Sequence, residues 1–189
     1  DEVLVASTGV IGVHLPLERF ADGVPQAAAR LSADDAAARD AASAIMTTDT
    51  RPKECAVSFD GAAFGFPGER FTVGAMAKGS GMIMPNMATM IAVLTTDAPL
   101  APPDLAAALK AAVAESFNKV TVDSDTSTND TCILLASGAA TRSAGPADFA
   151  QGTPGHAAFS AALAAVCTAL ARAMAADGEG ATRLVTVTV

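Results

Sequence analysis

Apolar residues recur every three or four positions in four stretches of this chain, which is the period of an amphipathic helix. The first stretch contains Pro25, which should kink or split the helix because proline has no amide hydrogen to donate. The last stretch is the most hydrophobic, but it is mostly alanine and is interrupted by Ser160, Thr168 and Arg172. A buried helix is therefore a better interpretation than a membrane span. The predicted helices are 17–31, 34–46, 105–117 and 157–176.

Shorter apolar runs that end at polar, Gly or Pro residues predict strands. Two pairs of these runs lie close together in sequence, within 55–77 and within 120–136. Such neighbours usually pair antiparallel, so we expect largely antiparallel sheets covered by helices, in one α/β (α+β) unit without internal repeats or linkers. The predicted strands are 3–6, 55–59, 70–77, 89–96, 120–123, 132–136 and 184–189.

The composition narrows the range of functions. Hydrophobic residues make up 51% of the 189 residues, which is enough to bury a core, and a formal net charge of −8 argues against binding to nucleic acid or to an anionic membrane. Three widely spaced cysteines form neither a disulfide framework nor a zinc pattern, and two histidines leave little material for a metal site. We therefore expect a cytoplasmic protein with no metal and no bound cofactor.

Thr89 is the candidate nucleophile, because it follows the small Ala88 in a segment rich in Gly and Met and begins a strongly apolar strand. A threonine hydroxyl needs a base, and one known base is the α-amine of the same residue, which is freed when the preceding peptide bond is cut. This amine has an ordinary pKa of roughly 8, so it can accept a proton near neutral pH. From the residues alone a simpler interpretation stays open, since β-branched residues commonly begin strands.

Five sequence motifs together resemble those of a known family. The longest, MAKGSGMIMPNMATMIAVLTTDA at 76–98, is similar to the self-cleavage segment of the ornithine acetyltransferases, the bifunctional ArgJ family of arginine biosynthesis. STGVIG, AIMTTDT, DTSTNDT and DGEGAT match the same family in the expected order, so the resemblance extends from Val5 to Val189. It implies a four-layer αββα sandwich of mixed, largely antiparallel sheets, of the N-terminal-nucleophile type.

The resemblance also implies an activity. The protein would cut its own bond between Ala88 and Thr89, so that 1–88 is the C-terminal part of an α chain and 89–189 the N-terminal part of a β chain, together one incomplete catalytic domain. The freed Thr89 would take an acetyl group from N2-acetyl-L-ornithine and pass it to L-glutamate through an acetyl-threonine. Some members also accept acetyl-CoA as the donor. The implied partners are these amino-acid substrates and the α and β chains of an αβ hetero-oligomer, without nucleic acid or membrane.

Family roles fall on particular residues of the matched motifs. The resemblance implies that Thr8 and Gly9 of STGVIG form the oxyanion hole, where a hydroxyl and a backbone amide can converge on a developing negative charge. It implies that Lys78 binds the carboxylate of the substrate, a task that suits an ammonium group on a flexible stem. Without the resemblance, Ser-Thr-Gly is simply a strand-to-turn junction, and a lysine is usually solvated.

Two further polar residues are implied to contact the substrate. Thr47 of AIMTTDT matches a substrate-contacting threonine, although Thr48 could be mistaken for it and either residue could instead bond within a turn. Glu179 of DGEGAT matches a glutamate near the amino groups of the substrate; otherwise it is an exposed loop acid. Asn129 and Asp130 of DTSTNDT are interpreted as turn caps or as support for the site rather than as catalytic residues.

Three alternatives stay open. A self-cleaving amidohydrolase or aminopeptidase of the same architecture would release the acyl group to water, although such relatives carry a serine-nucleophile pattern in place of NMATM. An acetyltransferase of secondary metabolism is a closer variant. Family members are much longer and this chain begins with Asp1, so we expect it to lack N-terminal and C-terminal portions. An inactive fragment that serves as a folding or interaction module is therefore the third alternative.

Overall fold

The computed structural model describes residues 3–86, 90–140 and 143–188. Within these ranges the chain folds as an α/β structure with four α-helices and four strands, joined by loops and short 3-10 turns. The four predicted helices are confirmed, with their ends shifted by a few residues. In chain order the elements are α1 (Leu17–Ala29), α2 (Asp35–Ala44), β1 (Lys53–Asp60), β2 (Arg70–Lys78), β3 (Ile91–Thr96), α3 (Pro102–Ala114), β4 (Thr131–Ala136) and α4 (Pro154–Ala176).

The strands form one mixed sheet in the order β1-β2-β3-β4. β1, β2 and β3 pair antiparallel, whereas β4 lies parallel to β3 with Ile91 opposite Thr131. The hairpin of β1 and β2 confirms the antiparallel pair that was predicted within 55–77. The parallel pair arises because α3 lies between β3 and β4 in the chain and returns it to the same end of the sheet, as parallel neighbours require.

The predicted pairing of 120–123 with 132–136 is wrong. In the described structure residues 120–123 lie outside the sheet, in bends that follow a short 3-10 turn. Their polar groups bond to the loop after β2 instead. The amide of Val122 donates to the carbonyl of Ile83 at 2.8 Å, and the carboxylate of Asp123 accepts from the amides of Met82 and Ile83. Because a loop satisfies this segment, it does not need a strand partner.

The core lies between α4 and one face of the sheet. Val73 and Leu94 on the sheet are completely buried, and so is Leu163 on α4. Within the described residues α4 alone has the length and the apolar composition of a membrane-spanning helix. Its apolar stripe nevertheless packs against the sheet, which confirms the prediction of a buried helix. The other buried members of that stripe are Phe159, Val166, Leu170 and Met174.

Local sequence determines where two of the helices begin. The hydroxyl of Thr153 caps α4 by accepting the amide of His156 at 3.1 Å, and the carboxylate of Asp34 caps α2 through the amide of Ala37 at 2.7 Å. Pro25 was predicted to kink or split the first helix, and the split is wrong, because α1 runs through this residue as a single helix. The kink stays a prediction. All of α1 is at least partly exposed, so water can bond the carbonyl group that a proline leaves without a donor.

Two terminal segments that were predicted as strands are not strands in the described structure. Residues 3–6 and 184–188 lie outside the sheet, with Val5 81% exposed and Val187 79% exposed. A strand needs a neighbour for its amide and carbonyl groups, and each of the four described strands pairs only with another of the four. The apolar side chains of these segments therefore lie on surface that the described residues leave uncovered.

The second face of the sheet is also uncovered over much of its area. Gly74, Val93 and Thr95 line it, and α2 lies along one side. A groove of about 570 Å³ runs between α2 and this face. The described residues thus form one mixed sheet with α3 and α4 packed on its opposite face, which confirms the α/β class.

Candidate active site

The predicted site motifs meet at one end of the sheet, where β2 ends and β3 begins. Thr89 and Ala88, the predicted nucleophile and cleavage site, lie outside the described residues. Met90, the next residue along the chain, is 2% exposed. Its amide donates to Oδ1 of Asp130 at 2.6 Å, and its carbonyl accepts from the amide of Thr131 at 3.0 Å. Both backbone polar groups of Met90, which directly follows the predicted nucleophile, are therefore hydrogen-bonded to the segment at the start of β4.

Lys78 is the last residue of β2 and lies opposite Ile91, the first residue of β3. It is only 1% exposed, and its Nζ donates to Oγ1 of Thr8 at 3.5 Å, which is a long hydrogen bond. Burial lowers the pKa of Lys78, and the nearby carboxylates of Asp49 and Asp130 oppose that shift. The simpler alternative of a solvated lysine is therefore wrong, and the predicted site residues Thr8 and Lys78 are neighbours.

A small cavity of about 210 Å³ lies beside Thr8. Thr8 and Gly9 line it together with Thr128 and Asn129 from the loop before β4. Its lining thus includes three residues with hydroxyl groups, the third being Ser7, and one side-chain amide, next to apolar residues of the segment 10–15. Such a set can hold a small polar molecule through hydrogen bonds.

Thr47 and Thr48 lie in the loop that leads from α2 toward β1. The hydroxyl of Thr48 bonds the hydroxyl of Ser80 at 2.7 Å, whereas the amide of Thr47 donates to the carboxylate of Asp49 at 3.2 Å. Thr48 is therefore the threonine whose side chain reaches the segment after Lys78. The predicted contact between Thr47 and the substrate stays a prediction.

Glu179, in the loop after α4, lies against the same segment. Its amide donates to the carbonyl of Ser80 at 2.6 Å. Its carboxyl group lies over Gly81, so closely that a Cβ atom at position 81 would be 2.5 Å from Cδ of Glu179. Four motifs that are far apart in sequence, those of Thr8, Thr48, Lys78 and Glu179, therefore converge on the end of β2.

The same chain matches a family profile along its whole length, residues 1–189, and that profile describes the ArgJ family. The chain belongs to the ArgJ family. The arginine biosynthesis bifunctional protein ArgJ of Symbiobacterium thermophilum is 51% identical over 185 residues, which cover 98% of this chain and 43% of that protein. The glutamate N-acetyltransferase of Methanothermobacter thermautotrophicus is 48% identical over 183 residues, 97% of this chain and 42% of that protein.

Fungal members of the ArgJ family are similar as well. The mitochondrial arginine biosynthesis bifunctional protein ArgJ of Chaetomium globosum is 46% identical over 189 residues, which cover 100% of this chain and 39% of that protein. The chain thus spans about two fifths of the length of these relatives. The family resemblance that the sequence motifs indicated is confirmed.

Asp130 bonds the backbone next to the predicted nucleophile of this ArgJ site, a contact that the sequence analysis did not predict. Burial raises the pKa of Asp130, and its bonds to the Met90 amide and its proximity to Lys78 oppose that rise. The parallel register explains its place, because Ile91 lies opposite Thr131 and therefore residue 130 lies beside residue 90. The position of Asp130 beside Met90 could be predicted from sequence only if the parallel pairing of β4 with β3 were already known.

Two of the three cysteines, Cys132 and Cys167, are poor candidates for a second nucleophile. Burial, together with the nearby Cys167, raises the pKa of the Cys132 thiol to about 12. Burial raises that of Cys167 to about 11, against a smaller opposing effect of its bond with Ser116. Both thiols are therefore protonated and unreactive near neutral pH. Within residues 3–86, 90–140 and 143–188, no group of three or more His, Cys, Asp or Glu side chains is placed to hold a metal ion.

Proposed function

We propose that this chain is part of an N-acyltransferase that moves an acetyl group from N2-acetyl-L-ornithine to L-glutamate in arginine biosynthesis. Two of its relatives are named arginine biosynthesis bifunctional protein ArgJ and glutamate N-acetyltransferase, which supports this class of reaction. The observation that carries the proposal is the convergence of separate motifs around the buried Lys78, with its Nζ 3.5 Å from Oγ1 of Thr8.

The proposed chemistry begins with an N-to-O acyl shift, in which Oγ of Thr89 takes the Ala88 carbonyl from its own nitrogen. Water hydrolyses the resulting ester, which leaves a carboxylate on Ala88 and the free α-amine and hydroxyl of Thr89. Oγ of Thr89 then attacks the acetyl carbonyl of N-acetylornithine, and the α-amine accepts the hydroxyl proton. The hydroxyl of Thr8 and the amide of Gly9 donate to the oxyanion. Ornithine leaves as its amine after taking that proton, and an acetyl-threonine ester remains. The amine of glutamate attacks this ester, which releases N-acetylglutamate and restores Thr89.

The electrostatics of the site suit amino-acid substrates. Lys78 is proposed to bind the α-carboxylate, because a buried ammonium group gains most when it is paired with an anion. Glu179 is proposed to face the cationic side chain of ornithine, and the exposed position of this residue leaves it accessible to a ligand. Thr47 is proposed as a further polar contact. Acetyl-CoA is proposed only as an alternative acetyl donor, and no resident cofactor enters the reaction.

The uncovered face of the sheet supports the finer proposal about the fold. In a four-layer αββα sandwich a second sheet packs about 10 Å from the first, and here the face that carries Gly74, Val93 and Thr95 is open to receive one. Residues 1–88 and 89–189 would then be parts of the α and β chains of one catalytic domain of the N-terminal-nucleophile type. An αβ hetero-oligomer in the cytoplasm completes the proposal.

The proposed activity is tested on the full-length polypeptide, meaning this chain with flanking segments that give it the length of its relatives. N-acetylornithine that carries a labelled acetyl group is incubated with the protein and glutamate, and the products are separated. We expect labelled N-acetylglutamate, together with an acetyl adduct on the enzyme when glutamate is left out. Thr89→Ala should abolish both products, whereas Thr168→Ala, on the exposed side of α4, should retain them.

The same experiment decides between the proposed activity and its rivals. Labelled acetate in place of N-acetylglutamate would identify an amidohydrolase. A protein that forms neither product and no adduct would identify an inactive module. Full transfer activity in Thr89→Ala would show that another residue is the nucleophile.

A further inference from the structure

Three charged side chains form a buried cluster a few residues away from the proposed substrate site. Nζ of Lys53 lies 2.5 Å from Oδ1 of Asp49 and 2.5 Å from Oδ2 of Asp177. The side chains of Lys53, Asp49 and Asp177 are 1%, 0% and 4% exposed. The three residues come from the first position of β1, the loop before it and the residue after α4. We call these three residues the buried triad.

Stability alone is a weak reason for such a triad. Removing charges from water carries a large desolvation penalty, and replacement of a buried ion pair by uncharged side chains of similar volume is often neutral or stabilising. The hydrogen bonds that the triad makes to other residues therefore offer a better explanation of why it is present. Burial raises the pKa of Asp49, but bonds from the Gly79 amide, Lys53 and the Thr47 amide outweigh that effect and leave the pKa below its ordinary value. Asp49 is thus ionised near neutral pH.

The two carboxylates of the buried triad accept three backbone amides, which belong to two segments of the chain. Oδ1 of Asp49 accepts the amide of Gly79 at 2.8 Å, and Oδ2 of the same residue accepts the amide of Thr47 at 3.2 Å. The carboxylate of Asp177 accepts the amide of Thr50 at 3.0 Å and also its hydroxyl. Lys53 joins the two carboxylates, so a single ammonium group ties the loop 47–50, the end of β2 and the end of α4 together.

Each of these segments carries one residue of the proposed substrate site. Thr47 donates to Asp49 directly, Lys78 precedes the Gly79 amide that Asp49 accepts, and Glu179 comes two residues after Asp177. Asp49 also lies close enough to Lys78 to oppose the lowering of its pKa by burial. A displacement of any one segment would therefore move a different substrate-binding side chain.

We propose that Lys53, Asp49 and Asp177 are positioning residues, which hold the three substrate-binding segments in one mutual geometry for N-acetylornithine and glutamate. This inference rests on the proposed function. The buried triad does not touch the reacting atoms. Because it acts through side chains that bind substrate, its loss should weaken substrate binding more than it slows the chemical step.

The test compares two variants of the full-length polypeptide. The first combines Lys53→Met, Asp49→Asn and Asp177→Asn, which keeps side-chain volume but removes the bridging ammonium group. A carboxamide has one acceptor oxygen, so Asn at position 49 cannot hold the amides of Thr47 and Gly79 on two separate oxygens. The control combines Glu115→Gln and Lys119→Met, which neutralises an ion pair on the surface whose side chains are 74% and 59% exposed.

Steady-state kinetics should separate positioning from bulk stability. We expect KM for N-acetylornithine to rise by about tenfold or more in the triad variant, with a smaller loss of kcat, and to stay unchanged in the control. Urea unfolding of both variants shows whether each is folded under assay conditions. If the triple variant does not fold, the single variant Asp49→Asn is assayed in its place, and its KM for N-acetylornithine is compared with that of the control. An unchanged KM in a folded triad variant would overturn the proposal.

Hydrogen exchange gives a second measurement that does not depend on activity. We expect the amides of Thr47 and Gly79 to exchange faster in the triad variant, while the paired amides of β1 and β2 stay protected. Unchanged protection of Thr47 and Gly79 would contradict the positioning role. If the wild-type polypeptide failed to transfer acetyl groups, the proposed function would fall, whereas this exchange measurement would still show whether the triad holds these segments.

Discussion

Glycine at position 81 leaves room for the carboxyl group of Glu179. A Cβ atom there would be 2.5 to 2.7 Å from the three carboxyl atoms of Glu179, closer than any real contact allows. These atoms form the far end of a flexible side chain, so they can move at little energetic cost. A methyl group at position 81 should therefore displace Glu179 without disturbing the fold.

Gly81→Ala is predicted to weaken binding of N-acetylornithine with little change in stability. We expect KM to rise by about tenfold and the free energy of unfolding to change by less than about 1 kcal/mol. Steady-state kinetics and urea unfolding of the full-length polypeptide measure the two effects. The matched control is Gly23→Ala on α1, where a new Cβ has nothing within 4 Å; it should leave KM unchanged. Equal KM values for both variants would show that Glu179 does not contact the donor.

At the residue scale, the motifs could be recognised from sequence but their mutual distances could not. The matches to STGVIG, KGSG and DGEGAT named Thr8, Lys78 and Glu179, and the structure gathers their segments at the end of β2. The contact of Thr48 with Ser80 and the bond of Asp130 to Met90 depend on loop geometry and on strand register. Neither is set by spacing along the chain, which is why sequence reasoning named the motifs without these contacts.

Among the elements, α4 supplies the helical side of the buried core. Its apolar stripe packs on the sheet, and Leu163 near its middle is completely buried. Deleting buried methyl groups there removes contacts with the sheet and leaves a cavity. Thr168 lies on the exposed side of the same helix and provides a control of similar position.

Leu163→Ala is predicted to lower the free energy of unfolding by about 2 to 5 kcal/mol. Thr168→Ala should change it by less than about 0.5 kcal/mol, because its side chain is exposed. Urea unfolding of the full-length variants, followed by circular dichroism, measures both values. A loss below about 1 kcal/mol for Leu163→Ala would mean that α4 does not pack as described.

The elements that sequence reasoning predicted best are those that depend only on local pattern. The stripes of α3 and α4 repeat over more than three turns, so their period identifies them without any knowledge of the fold. The segment 3–6 is a continuous apolar run and 184–188 belongs to an alternating one, but a strand also needs a partner for its hydrogen bonds. Pairing is a property of the whole fold, which is why the strands and their neighbours were harder to predict than the helices.

For the molecule as a whole, the open face of the sheet is the feature that links this chain to a larger assembly. The chain covers 43% of the length of its Symbiobacterium thermophilum relative, so most of such a protein lies beyond it. A second sheet from those segments would bury Thr95, which is exposed on β3 here. Accessibility of this position in the full-length polypeptide therefore tests the four-layer proposal.

Thr95→Cys is predicted to resist alkylation by iodoacetamide in the folded full-length polypeptide and to react once the protein is unfolded. Ala111→Cys, on the exposed surface of α3, is the control and should react in both states. Peptide mapping by mass spectrometry reads the two sites. The native Cys132 and Cys167 give little background, because their raised pKa values of about 12 and about 11 keep them protonated near neutral pH. Equal rates at 95 and 111 would argue against a second sheet.

The identity of the first residue of the β chain tests the nucleophile most directly. Purified full-length polypeptide is denatured, and its chains are analysed by intact mass and by N-terminal sequencing. We predict two chains that meet at Ala88–Thr89, the second beginning with Thr89, and a single uncut chain for Thr89→Ala. An uncut wild-type protein that still transfers acetyl groups, or a cut at any other bond, would contradict the proposal that Thr89 acts through its own α-amine.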